Sequence, residues 1–155
     1  MLLLLCSMAF AQEDCRRNLA YFELGGNGLY TSINYERIIT KNPKFGIHAG
    51  VGRYKDRKYF LTIPVGLRFI KQIKRSGSYL DLGLGATYSR NDIQLYVAVK
   101  RNLPFDGSQN NINIVPSLGY RQYIKNRLMF RMAFTPVINE YGFIPYLGIC
   151  VGGLF

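Results

Sequence analysis

The chain has 155 residues, enough for one domain, and its 48% hydrophobic and 19% charged residues exclude a disordered chain. Twenty Lys and Arg against nine Asp and Glu give a formal charge of +11, which points to an anionic neighbour. Three Cys and one His are too few for a disulfide scaffold or an imidazole metal site, so neither metal nor cofactor is expected.

Met1 to Phe10 reads MLLLLCSMAF, followed by Ala11 and Gln12. Ala9-Phe10-Ala11 is a small-x-small cleavage signal directly after a short apolar run, which predicts a signal peptide over 1–11 and a mature domain over 12–155. A membrane helix would need ~20 apolar residues. No basic residue precedes the run, so the start is expected to be a few residues short. Neither Cys6 nor Cys15 follows the small residues of a lipoprotein signal. The protein is expected to be exported.

Beyond residue 15 apolar residues recur at every second position, the period of a strand rather than the 3.6 of a helix. Eight strands follow in chain order. The first, 18–26, opposes Phe22 and Leu24 to Glu23 and Gly25. The second, 29–39, opposes Leu29, Ile33 and Tyr35 to Ser32, Asn34 and Glu36. In the third, 45–54, Phe45, Ile47, Ala49 and Val51 alternate with Gly46, His48, Gly50 and Gly52. The fourth, 59–70, sets Leu61, Ile63, Val65, Leu67 and Phe69 against Thr62, Pro64, Gly66 and Arg68. The fifth, 78–90, has Leu80, Leu82, Leu84 and Ala86 opposite Asp81, Gly83, Gly85 and Thr87. The sixth, 111–124, has Ile112, Ile114, Pro116, Leu118 and Tyr120 opposite Asn113, Ser117, Gly119 and Arg121. The seventh, 128–138, opposes Phe130, Met132 and Phe134 to Arg131, Ala133 and Thr135. The eighth, 143–155, opposes Leu147, Ile149, Val151 and Phe155 to Gly148, Cys150 and Gly152.

Turn chemistry separates these strands, as at Gly26-Asn27-Gly28, Lys41-Asn42-Pro43-Lys44 and Lys74-Arg75-Ser76-Gly77. Residues 91–110 form the longest connection. Ile93, Leu95, Val97 and Val99 alternate within it and are read as a strand extension, because a ninth strand would carry the C-terminus to the opposite side.

The second face decides where the protein works. It is dominated by Gly with single Thr, Asn, Ser, Asp and Arg residues, a poor solvated surface but a suitable lining for a narrow barrel. The apolar face is bulky and nearly uncharged, as a lipid-facing band must be. The expectation is an all-β, eight-stranded antiparallel up-and-down transmembrane barrel, whose strands of ~9–11 residues alternate apolar-out and polar-in. Both termini and the connections near 40–44, 71–77 and 125–127 fall on one side, taken as periplasmic. Those near 27–28, 55–58, 91–110 and 139–142 fall on the other. Tyr21, Phe22, Tyr54, Tyr59, Phe60, Tyr79, Tyr88, Tyr120, Tyr123, Tyr141 and Phe143 lie near strand ends, where interfacial girdles are expected.

The alternation and the ending Tyr146-Leu147-Gly148-Ile149-Cys150-Val151-Gly152-Gly153-Leu154-Phe155 resemble the small eight-stranded outer-membrane barrels of Gram-negative bacteria, the OmpX/OmpA-type outer membrane protein beta-barrel family. The resemblance covers residues 18–155. It implies that Leu147, Ile149, Val151 and Phe155 form the C-terminal signal read by the barrel-insertion machinery, with Gly153 standing where the family usually has a hydrophobic residue. It also implies location in the cell outer membrane.

The same parity places Glu23, Asn34, Glu36, His48, Arg68, Asp81, Asn113, Ser117, Arg121 and Arg131 in the lumen. Three carboxylates and three guanidiniums suit bidentate pairing in a confined space, so a structural salt-bridge plug is expected. A narrow ion path and a lipid-modifying barrel enzyme are the alternatives within the membrane. The second of these needs a nucleophile and an oriented base, and His48 is the only His, with no Ser two residues away. No catalysis is expected. The alternative from another class is a soluble exported lipid-binding barrel with its apolar set inside.

Basic residues flank the strands. Arg53, Lys55, Arg57, Lys58, Arg90, Lys100 and Arg101 are placed on the outer side, either to pair with lipopolysaccharide phosphates or as ordinary solubilising rim charge. Lys41, Lys44, Lys71, Lys74, Arg75, Lys125 and Arg127 are placed on the periplasmic side. They form no aromatic-interleaved stripe, so nucleic acid is not expected as a partner. Cys15 and Cys150 are expected as free thiols, with a disulfide as the alternative. The expected role is that of a monomeric structural, adhesive or envelope-interacting protein, working through its outer loops and contacting outer-membrane lipid.

Overall fold

The computed structural model describes residues 17–40, 44–55, 59–74, 77–89, 111–125, 127–139 and 142–155. The predicted signal peptide, Cys15 and the 91–110 connection with its alternating 93–100 stretch lie outside the described residues. So do Lys41, Arg57, Lys58, Arg75, Arg90, Lys100, Arg101 and Tyr141.

Period-2 patterning produces eight strands. They are β1 (Asn18–Gly25), β2 (Thr31–Ile38), β3 (Lys44–Lys55), β4 (Tyr59–Lys74), β5 (Ser78–Ser89) and β6 (Asn111–Ile124). Each of the last two comes in two segments, β7 (Leu128–Phe134 and Val137–Asn139) and β8 (Gly142–Ile144 and Leu147–Leu154). Every strand pairs antiparallel with the next. The first and last also pair, Leu19 opposite Leu154 through Gly25 opposite Gly148, which closes an eight-stranded all-β barrel. Closure gives backbone groups partners that an open sheet would leave at its edges.

The bulky set faces outward, from Phe69 at 37% to Ile33 at 70% exposed. The alternate positions face inward and are buried, among them Glu23, Glu36, Asp81, Arg68, Arg121 and Arg131. This inverts the layout of a soluble barrel. Among the described residues the inner face carries two small apolar clusters and no central apolar core. One lies at the end bearing the termini, built from Leu19, Tyr21, Tyr123, Met129 and Cys150. The other lies at the far end, built from Leu29, Val115, Val137 and Ile144.

Several local expectations need correction. Leu29 belongs to the buried far-end cluster, not to the outer apolar face. The cause is the turn Gly26–Gly28, which folds into the barrel mouth instead of projecting outward and carries Leu29 in with it. Gly25 and Gly26 take φ of 71° and 67°, and a Cβ on Gly26 would overlap the Glu23 carboxylate, so glycine is required there. β4 runs on to Lys74 through an irregularity between Gln72 and Lys74, so Lys71 is a strand residue and the following connection is shorter than expected.

The aromatic and basic girdles also thin out at the terminal end. Tyr21 and Tyr123 are buried in the lumen and Tyr79 packs edge-on against Tyr123, whereas Phe22, Tyr88, Tyr120 and Phe143 do face outward. Lys44 begins β3 and its Nζ sits 4.6 Å and 4.8 Å from the Tyr79 and Tyr123 ring centroids, so it closes the lumen rather than decorating the rim.

The breaks in β7 and β8 share one cause. Phe134 opposes Leu147 and Val137 opposes Ile144, so the register continues unchanged and sets Pro136 opposite Pro145. Leu118 opposite Phe134 and Ile114 opposite Ile138 likewise set Pro116 opposite Pro136. Three prolines therefore stand abreast on β6, β7 and β8. Each lacks the N–H that a ladder needs, so the regular ladder is interrupted across them, with the Thr135 N–H still donating to the Tyr146 carbonyl at 2.8 Å.

Candidate functional site

Seven of the eight strands deliver inward side chains to the middle of the lumen: Glu23 from β1, Glu36 from β2, His48 from β3, Arg68 from β4, Asp81 from β5, Arg121 from β6 and Arg131 from β7. The structure brings the six charged groups into a single network. Arg121 meets Glu36 at 2.7 Å and Asp81 at 2.7 Å. Arg68 meets the same two carboxylates at 3.4 Å and 3.1 Å. Glu36, Arg68, Asp81 and Arg121 thus close a four-membered ring of alternating charge. Arg131 extends it, 3.1 Å from Asp81 and 3.6 Å from Glu23. Three carboxylates and three guanidiniums sum to zero charge. That balance is what burial in a low dielectric demands of ions taken from water.

The ring is completed by neutral donors and acceptors. Arg68 donates to the Tyr21 hydroxyl at 3.4 Å and Arg121 to the Tyr123 hydroxyl at 3.0 Å. Cys150, unpaired in any disulfide among the described residues, lies 3.4 Å from Glu23 and 3.6 Å from Arg131. Arg121 and Arg131 are direct cross-strand neighbours, an arrangement of like charges that is unfavourable unless an anion lies between them. Asp81 is that anion. Gly83 leaves the space into which Arg68 and Ser117 reach, since a Cβ there would press on both.

The polar residues Asn34, Asn113 and Ser117 lie on the same inner face but outside the ring. Asn34 donates to Ser32 at 2.7 Å, and Asn113 donates to Ser89 and the Thr87 carbonyl, both at 3.2 Å. His48 accepts at Nε2 from the Asn27 amide at 2.8 Å, while its Nδ1 finds no partner among the described residues. A base in a hydrolytic triad has a carboxylate or carbonyl on its second nitrogen, and that orienting group is missing from the described surroundings of His48.

Alternation on the strands says nothing of Asn27, which comes from the inward turn. Thr87 donates to its carbonyl, Thr62 donates to the Gly28 carbonyl at 3.1 Å, and Gly28 donates to Glu23 at 3.3 Å. Asn27 also fills the space above Gly85, where any Cβ would collide with its amide. The only hint in the sequence is a Gly-Asn-Gly turn between two strands whose inner faces are rich in Gly and hydroxyls.

Leu147, Ile149, Val151 and Phe155, the residues expected to form an insertion signal, all face outward along the terminal segment of β8 and just past its end. Phe155 stands beside Tyr35, with ring centroids 6.3 Å apart. Of the basic residues described, Arg53 is exposed on the outer face near the far end, and Lys71, Lys125 and Arg127 are exposed toward the terminal end.

No family model matches the chain, and no curated protein matches it. Among solved structures it is similar to the N-terminal β-barrel domain of Pseudomonas aeruginosa OprF, with a TM-score of 0.64 over 90% of this chain and 96% of that domain. The identity is 14%, so what the two share is the fold.

Proposed function

We propose that this chain is an integral outer-membrane β-barrel protein with a sealed, non-catalytic lumen, exported by its N-terminal signal and acting in the cell envelope as a structural or adhesive element. One observation carries the reading: large apolar side chains cover the outside while the charged groups of the strands' midsections are inside. A lipid bilayer is the solvent that favours that inversion. The fold shared with the OprF barrel domain supports it.

Non-conduction is favoured by the layering of the lumen. The charged ring lies between the apolar cluster around Leu19 and Met129 and the one around Leu29 and Val137, and its carboxylates and guanidiniums are paired with one another across the lumen. The outward-facing Leu147, Ile149, Val151 and Phe155 suit recognition by the insertion machinery. Contact with lipopolysaccharide or a host surface is assigned to the far-end connections.

Val65→Arg tests this, with Leu82→Arg as its companion. At the bilayer midplane each should cost roughly 2–4 kcal/mol and deplete the outer-membrane fraction. Both positions are exposed. In a water-soluble barrel such surface changes stay within about 0.5 kcal/mol. Undiminished, folded protein in the soluble fraction would therefore overturn the membrane reading.

A further inference from the structure

The barrel wall is not equally complete all round. β1 leaves the wall at Gly25 to enter the lumen, and its last partner on β8 is Gly148. The upper segment of β8, Gly142–Ile144, then pairs with β7 and with no other strand among the described residues. A notch opens on the outside at this place. Its recess has a volume of about 720 Å³, within the range of small-ligand sites. Leu24, Tyr30, Phe134, Tyr146, Leu147 and Ile149 line it.

The lining changes character along the barrel axis. Leu24, Phe134, Leu147 and Ile149 form its lower part, continuous with the outward apolar band. Tyr30, Thr31 and Tyr146 stand at its upper part, toward the far end. Thr31 is the direct cross-strand neighbour of Arg53, whose side chain is exposed on the same outer face, one strand spacing (about 4.8 Å) away. An apolar trough ending in hydroxyls beside a cation matches an amphiphile with a hydrocarbon tail and an anionic head.

We propose that this notch is a lipid-binding site that holds one acyl chain of an anionic phospholipid, with the phosphate placed toward Arg53. The inference rests on the membrane reading above. The tail replaces the wall that β1 vacates, beside the stretch where Pro136 and Pro145 interrupt the regular β7–β8 ladder and the Thr135 N–H still donates to the Tyr146 carbonyl at 2.8 Å.

The chain contains no Trp, so a single Trp is an unambiguous reporter. Tyr30→Trp places it in the notch, and Leu147→Trp provides a second position there. Tyr88→Trp is the control, exposed at the same end of the barrel on the opposite wall. Each variant is reconstituted in zwitterionic phospholipid vesicles containing a few mole per cent of acyl-brominated phosphatidylglycerol. The expected result is quenching at the notch several-fold above the control, saturating with bromolipid fraction and falling to the control level when Arg53→Gln is added. Equal quenching at all three positions, rising in proportion to the bromolipid, would overturn the site while leaving the membrane reading intact. Absence of quenching at every position, with brominated lipid throughout the bilayer, would overturn both.

Discussion

Asp81 is shared by three guanidiniums, with Arg68 and Arg131 both 3.1 Å from one oxygen and Arg121 2.7 Å from the other. Removing its charge leaves Arg121 and Arg131 facing each other across the β6–β7 ladder with no anion between them. Asp81→Asn should therefore destabilise the barrel by about 3–5 kcal/mol, the cost of orphaning a buried charge. Glu23→Gln should cost clearly less, because Glu23 meets only Arg131 among the described cations, at 3.6 Å. Urea unfolding of the two variants refolded in detergent micelles checks the order, and equal losses would contradict a network centred on Asp81. The inward position of these residues is legible in the sequence, since two-residue alternation sorts Asp81 from Leu80 and Leu82 without any tertiary information. Which carboxylate meets which guanidinium is not. Arg121 and Glu36 lie 85 residues apart, and only the closure of β1 on β8 brings their strands round the same lumen.

At the scale of elements, a strand's outward residues should respond to charge according to depth. Leu84 lies in the middle of β5 and Leu128 at the start of β7. Leu84→Arg is expected to cost roughly 2–4 kcal/mol and Leu128→Arg about 0–1, the gradient that a bilayer imposes and water does not. Refolding yields into vesicles of the two variants measure it, and indistinguishable yields would count against a buried midsection. The eight strands are readable because each repeats its alternation, from two outward apolar positions in the first strand to five in the fourth. The elements that escape sequence reading are those where a short stretch serves tertiary packing instead. Gly26-Asn27-Gly28 has ordinary turn chemistry, yet Asn27 goes inward because Gly85, on the opposite wall, leaves room for its amide. Pro136 and Pro145 fall inside the strands expected over 128–138 and 143–155, and the break they make with Pro116 depends on the register of three strands.

At the scale of the whole molecule, the inverted layout makes the barrel's stability depend on its solvent. Large apolar side chains line the exterior, from Phe69 at 37% to Ile33 at 70% exposed, whereas soluble monomers rarely expose contiguous apolar patches beyond a few hundred Å². Inside, the paired ring and the plugging turn hold the walls together without a conventional core. Such a closed ladder should resist detergent at room temperature and yield only on heating. The most direct measurement is cell fractionation followed by gel electrophoresis of boiled and unboiled samples. A band in the outer-membrane fraction that runs compact when unboiled and shifts on boiling is the predicted result. A periplasmic protein that needs no detergent and shows no shift would contradict the membrane barrel.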